Sequence, residues 1–107
     1  MFSVKWSDFA MERMREQAQY IAEQSGSAEI AWQWANDVFS AADGLADFPS
    51  MGRCIPEFPD APYREIIVRK NFRLIYRQAQ EVCYIVTVRR CSMLLDELAM
   101  AEFNSVE

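Results

Sequence analysis

Histidine is absent from all 107 residues. That absence removes Ser–His and Cys–His nucleophilic catalysis, histidine metal sites and histidine acid–base chemistry in one step. Glycine occurs three times and proline four times, too few for a disordered or low-complexity chain. There is no internal repeat. No apolar run approaches the roughly 20 residues needed to cross a bilayer, so no membrane span is expected. The opening stretch MFSVKWSDFA lacks a basic segment followed by an apolar one. The expectation is a cytoplasmic protein without a secretory leader. Three cysteines, Cys54, Cys83 and Cys91, fit no zinc spacing. An odd count without a leader reads as reduced thiols, with Cys83 acting as a small buried hydrophobe. No metal and no cofactor is expected.

Hydrophobic residues make up 51% of the chain and aromatic residues 13%. A core can therefore form without disulfides, and the length suits one domain spanning residues 1–107. The net charge is −5, which opposes nucleic-acid binding by the chain alone. Charge is segregated, however. Residues 1–51 balance at −5, residues 52–92 at +4 and residues 93–107 at −4. Taken alone, such a pattern is ordinary solvated surface.

Residues 2–6 alternate apolar and polar side chains, as a half-buried strand does. Ser7 stands at a helix N-cap position, with Asp8 and Glu12 in the first turn. Phe9, Ala10, Met14, Ala18, Ile21 and Ala22 then recur at helical spacing until Ser25 and Gly26, where glycine permits a left-handed cap. Ser27 caps a second helix carrying Ile30, Ala31, Trp34, Val38, Ala41, Ala42 and Leu45 on one face. So short a connection predicts an antiparallel helical hairpin. Trp32 lies off that stripe. All four prolines fall between Asp47 and Pro62, which predicts a long loop anchored by Phe48, Ile55 and Phe58. Strands are expected over 63–69, 72–77 and 82–88, separated by turns at Lys70–Asn71 and 78–81. Phe72, Leu74 and Tyr76 should share one face, with Arg73, Ile75 and Arg77 on the other. Residues 93–103 can close the chain as a helix. The expected class is α+β: an N-terminal strand, a helical hairpin, a three-stranded antiparallel meander and a short C-terminal helix.

Four blocks carry a family resemblance. They are Val4–Ser7 with Ala10; Tyr20–Ala22; Leu45, Phe48–Pro49, Gly52–Arg53 and Ile55–Phe58; and, most strongly, Tyr63–Ile66 with Val68 and Phe72–Arg77. Together these blocks resemble the RelE/ParE toxin superfamily of bacterial type II toxin–antitoxin pairs, the ParE branch more than the RelE branch. The resemblance implies a toxin that acts on an essential machine and is held in a heteromeric complex by a cognate antitoxin protein. DNA gyrase is the implied ParE target. The RelE branch cuts messenger RNA in the ribosomal A site.

A ribonuclease of that kind activates a 2′-hydroxyl, holds a phosphate and protonates a leaving oxygen. Arg73 matches the arginine of the RelE block, and Arg64 is the other candidate for such chemistry. Cys91 or Met93 stands where a basic residue is expected, and no tyrosine follows Tyr84. The chain also departs from the ParE pattern, because Arg90 and Met93 occupy places where many relatives carry histidine and arginine. The reading is thus a gyrase-inhibiting toxin without its own catalytic site. The alternatives are a RelE-like endonuclease or an inactive relative that only binds its antitoxin. Target contacts are expected among Arg64, Arg73, Arg77, Arg89 and Arg90, of which Arg64, Arg73 and Arg77 can also pair with Glu57, Glu65 or Glu81. Antitoxin contacts are expected among Trp32, Trp34, Phe39, Met11 and Met14. Of these, Trp34, Phe39 and Met14 read first as core, and Trp32 stands out.

Overall fold

The computed structural model describes residues 2–92; the helix expected over 93–103 lies outside that range. The chain runs β1 (Ser3–Trp6), α1 (Asp8–Ser25), α2 (Ala28–Asp43), a single 3-10 turn (Gly44–Ala46), β2 (Arg53–Cys54), β3 (Arg64–Val68), β4 (Phe72–Ala79) and β5 (Val82–Arg90). The architecture is α+β. Its five-stranded sheet has the order β1-β5-β4-β3-β2, with β1 parallel to β5 and every other pair antiparallel.

Both helix starts follow from a serine. Ser7 Oγ accepts from Ala10 N at 3.0 Å and Ser27 Oγ accepts from Ile30 N at 3.2 Å, each satisfying a donor that the first turn leaves open. Gly26, at φ 69°, ends α1 in the left-handed region that glycine enters without penalty. Ser7 also fastens the helix to the sheet. Its backbone N–H donates to Ile85 O at 3.1 Å and its hydroxyl to Val86 O at 3.3 Å.

The helices cover one face of the sheet. Met14, Trp34, Val38 and Leu45 pack there against Val68, Phe72, Leu74, Tyr76, Ile85 and Val88. Trp34 meets the Phe72 ring at a centroid distance of 5.0 Å. The predicted alternation holds along β4, because Ile75 points the other way into a second cluster with Ile55, Tyr63 and Val86. A bulge lets β5 serve both clusters. Leu74 pairs with Val88 and Tyr76 with Ile85, so β5 accommodates one extra residue opposite the Ile75/Tyr76 step. Without it, Ile85 and Val88 would face opposite sides.

Four expectations are corrected. The proline-rich segment is not all loop, since Arg53–Cys54 pairs with Arg64–Glu65 as an edge strand. Phe48 is exposed rather than an anchor, whereas Ile55 is fully buried and Phe58 packs beside it. Ile30 is exposed. The turn between β3 and β4 centres on Arg69 and Lys70, both at positive φ, the signature of a type I′ hairpin whose twist suits the strands.

Gly52, just before the edge strand, packs closely against β3 and β4. Its N–H donates to the Tyr76 hydroxyl at 3.0 Å, and that hydroxyl donates to Pro49 O at 2.8 Å. A Cβ at this position would come within 2.7 Å of the Tyr76 ring and hydroxyl and 2.9 Å of Glu65 O. Gly52→Ala should therefore cost about 1–3 kcal/mol of folding stability, as overpacking in a core does. Equilibrium urea unfolding checks it, and an unchanged midpoint would show that the segment can lift away freely.

Candidate functional site

The sheet face away from the helices carries an ion-pair network. Arg73 sits on β4 directly opposite Ile67 of β3 and Arg89 of β5, with a side chain only 9% exposed. Two carboxylates compensate it. Its Nη1 and Nη2 donate to the two oxygens of Glu57 at 2.9 and 2.7 Å, and Nη1 also donates to Glu65 Oε1 at 3.2 Å. The Glu65 side chain is completely buried, and its second oxygen accepts from Arg53 Nε at 2.8 Å. The chain Arg53–Glu65–Arg73–Glu57 thus alternates in sign. The bidentate bond to Glu57 is the main reason the Arg73 guanidinium holds its proton still more firmly than usual. Because Glu57 lies in the proline-rich segment, this pair straps that segment onto the sheet.

The other arginines do not gather around Arg73. Arg64 pairs in register with Tyr76, on the helix side, and donates from Nη1 to Gly52 O at 2.8 Å. Arg90 pairs with Phe72, also on the helix side, and its guanidinium lies 4.3 Å from the Tyr20 ring centroid. Arg77 follows Arg73 and Ile75 on the outer face and lies 4.7 Å from the Tyr84 ring centroid. Arg89 is half-buried, shares the outer-face register of Arg73, and lines a cleft at the edge of the sheet that α1 residues also line. So three of the five candidates lie on one face and two on the other. The strand period of two decides this.

Two tyrosines brace the region. Burial raises the pKa of Tyr76 above the ordinary phenol range, against the opposing hydrogen bond from Gly52 and the charge of Arg64. Burial likewise raises that of Tyr63, opposed by Arg77. Both are therefore neutral, structural hydroxyls at physiological pH. Cys83 is fully buried, and its thiol is raised by that burial. Cys54 is exposed and Cys91 half-buried, all three thiols being free. No group of three His, Cys, Asp or Glu side chains able to hold a metal occurs among the described residues. No helix among them is long and apolar enough to cross a membrane.

The aromatic candidates also separate. Trp32 is 68% exposed while Trp34 is 1% exposed. Phe39 is half-buried, packed against Trp6 at a centroid distance of 4.9 Å. Met14 is buried in the core and Met11 is half-buried on α1. Among these candidates Trp32 presents the most apolar surface to solvent. Sequence reasoning missed Arg13, which lies on α1 beside Arg89 around one cleft. No spacing rule links a helix position to a strand 76 residues later.

Against this geometry, three comparisons are informative. A family model described as the ParE toxin of the type II toxin–antitoxin system parDE matches residues 4–95. Among solved structures, a chain titled "Chromosomal ParDE TA system from P. aeruginosa" is similar with a TM-score of 0.72. Identity is 18%, and the match covers 84% of this chain and 96% of that one. At so low an identity the likeness speaks to the fold. No curated protein sequence matches. The family match spans most of the chain and agrees with the order of its strands and helices: this protein belongs to the ParE toxin family of type II toxin–antitoxin systems.

Proposed function

We propose that this protein is a toxin that inhibits DNA gyrase in the cytoplasm, is neutralised by a cognate antitoxin, and has no catalytic site of its own. The observation that carries this reading is the state of Arg73. A phosphate-binding arginine must offer its fork to a ligand, whereas this one is occupied by Glu57 and Glu65 and nearly removed from solvent. Arg64, the second ribonuclease candidate, belongs to the opposite face of the sheet. The two guanidiniums cannot clamp one scissile phosphate from the same side. A protein that works by contact needs no such clamp. Its surface offers Trp32 for an apolar partner, and an antitoxin segment laid along the helical hairpin would bury it. Arg77, Arg89 and Arg90 then remain the target-side candidates.

The test is a gyrase assay with purified protein, supercoiled plasmid and ATP, scored for linear DNA after denaturation. Linear DNA should accumulate with toxin and diminish when the antitoxin is added. Unchanged gyrase products would overturn the target, and ribosome-dependent RNA cleavage would then be measured. If that too is negative, the protein is a binding partner of the antitoxin only.

A further inference from the structure

We propose that the exposed turn after α2 is a docking surface for a protein segment that sets a basic side chain beside an apolar one. The turn is tightly built. Asp47 N and Phe48 N both donate to Gly44 O, at 3.3 and 3.0 Å, and Met51 N donates to Phe48 O at 3.1 Å. Met51 lies back on the end of α2, since its Cε is 3.1 Å from where a Cβ on Gly44 would stand. The backbone is thus held in place, yet the core does not use the two large apolar side chains it carries. Phe48 is 67% exposed and Met51 49%. One exposed apolar side chain is ordinary on a soluble protein. Two presented by one ordered turn form a surface of interface composition, since phenylalanine and methionine are both enriched where proteins meet. A turn fixed in advance also loses little freedom when a partner settles on it.

Charge selects the partner. Asp43 ends α2 and Asp47 closes the 3-10 turn that follows, and both are exposed. They stand at the C-terminal end of a helix, where the backbone already carries partial negative charge and basic residues are favoured. The last turn of α2 holds no basic residue. No ion pair to either carboxylate occurs among the described residues. Two cations lie on neighbouring segments without pairing to them. Arg64 donates to Gly52 O at 2.8 Å. Lys5 of β1 alternates to the outer side of the sheet, away from Val4 and Trp6, which pack with the helices.

An apolar surface rimmed by two carboxylates favours arginine or lysine next to a leucine-like side chain and turns away an acidic segment. The same aspartates oppose a second copy laid face to face on this turn, because like charges would meet. Trp32 precedes Asp43 by eleven residues, roughly 16 Å of helix. The surface is therefore separate from the candidate antitoxin anchor, and it does not depend on which machine the protein inhibits.

The test is a titration of the full chain carrying ¹³C at its methionine methyl groups and ¹⁵N at its amides. The probes are blocked hexapeptides of alternating leucine and arginine, leucine and glutamate, or serine and arginine. The leucine–arginine peptide should move the Met51 methyl and the Phe48 amide saturably, and less at high salt. Each of the other two should bind several-fold more weakly. Met51→Leu assigns the methyl signal. Phe48→Ser should weaken the leucine–arginine peptide about tenfold, as loss of an apolar anchor does. Asp47→Asn should weaken it about threefold, the worth of an exposed ion pair. Both side chains are exposed, so both variants should keep the parent's amide spectrum; Asp47→Asn carries the comparison if Phe48→Ser does not. An immobile Met51 methyl, or full affinity in a folded variant, would overturn the docking surface. Equal affinity for the leucine–glutamate peptide would overturn the choice of a basic partner. Concentration-dependent Met51 and Phe48 signals in the free chain, abolished by Phe48→Ser, would overturn it in favour of a second copy.

Discussion

Arg73→Ala is expected to destabilise the fold by about 3 kcal/mol, within the range for breaking a buried ion pair from one side. In a domain of this size that lowers the melting temperature by roughly 12–24 °C. Truncation leaves Glu65 buried with only Arg53 for compensation, and the Arg53 side chain is 61% exposed, which weakens that pair. Glu57 simultaneously loses its bidentate partner, and the proline-rich segment loses its strap. The double variant Arg73→Met with Glu65→Leu should recover most of the loss, because no uncompensated charge then stays buried. Thermal and urea unfolding of the parent, single and double variants decide this. A single variant within about 1 kcal/mol of the parent would mean that Glu65 finds water or another partner. The result bears on function as well. Loss of toxicity in Arg73→Ala cannot be assigned to a target contact until the protein is shown to be folded at the assay temperature.

The two neighbouring tryptophans of α2 should behave in opposite ways. Trp34→Ala is expected to cost about 3–5 kcal/mol of stability, the range for emptying a large aromatic from a core. Part of the loss is the tilted contact with Phe72, which such pairs make worth somewhat more than area alone. Trp32→Ala should leave the unfolding midpoint within about 0.5 kcal/mol of the parent, as exposed surface substitutions do. If Trp32 is an antitoxin anchor, the same change should weaken the complex by about 2 kcal/mol or more. Chemical denaturation and calorimetric titration of the antitoxin separate the two residues. Full antitoxin affinity in Trp32→Ala would move the interface elsewhere on the helical hairpin.

Much of this contrast was legible in the chain. Trp34 shares helical phase with Ala31, Val38 and Ala42, all of them buried, and Trp32 does not. Likewise Ser7, Gly26 and Ser27 mark helix boundaries by local chemistry that needs no tertiary partner. The alternation through β4 placed Phe72, Leu74 and Tyr76 against the helices. Only the registers of β3 and β5 against β4 put Arg73 on the opposite face from Arg64 and Arg90, whereas a cluster of all five arginines requires them to share a face. Phase along a strand can be counted, but register between strands cannot be read from one segment.

Other features were decided only when distant segments met. The bulge in β5 depends on how Ser7 and β4 hold that strand, so its shift of facing has no local signature. Burial of Glu65 depends on the proline-rich segment folding over it and bringing Glu57 to Arg73. In sequence these are simply charged residues with many possible partners. The Arg13–Arg89 cleft joins a helix to a strand through three-dimensional packing alone. By itself the sequence determined the helical hairpin, the antiparallel meander and membership of the toxin family, because caps, turns and side-chain periods act within a few residues. Only the tertiary structure decided which charges are compensated and which face a partner, because those depend on burial and on contacts between residues far apart in the chain.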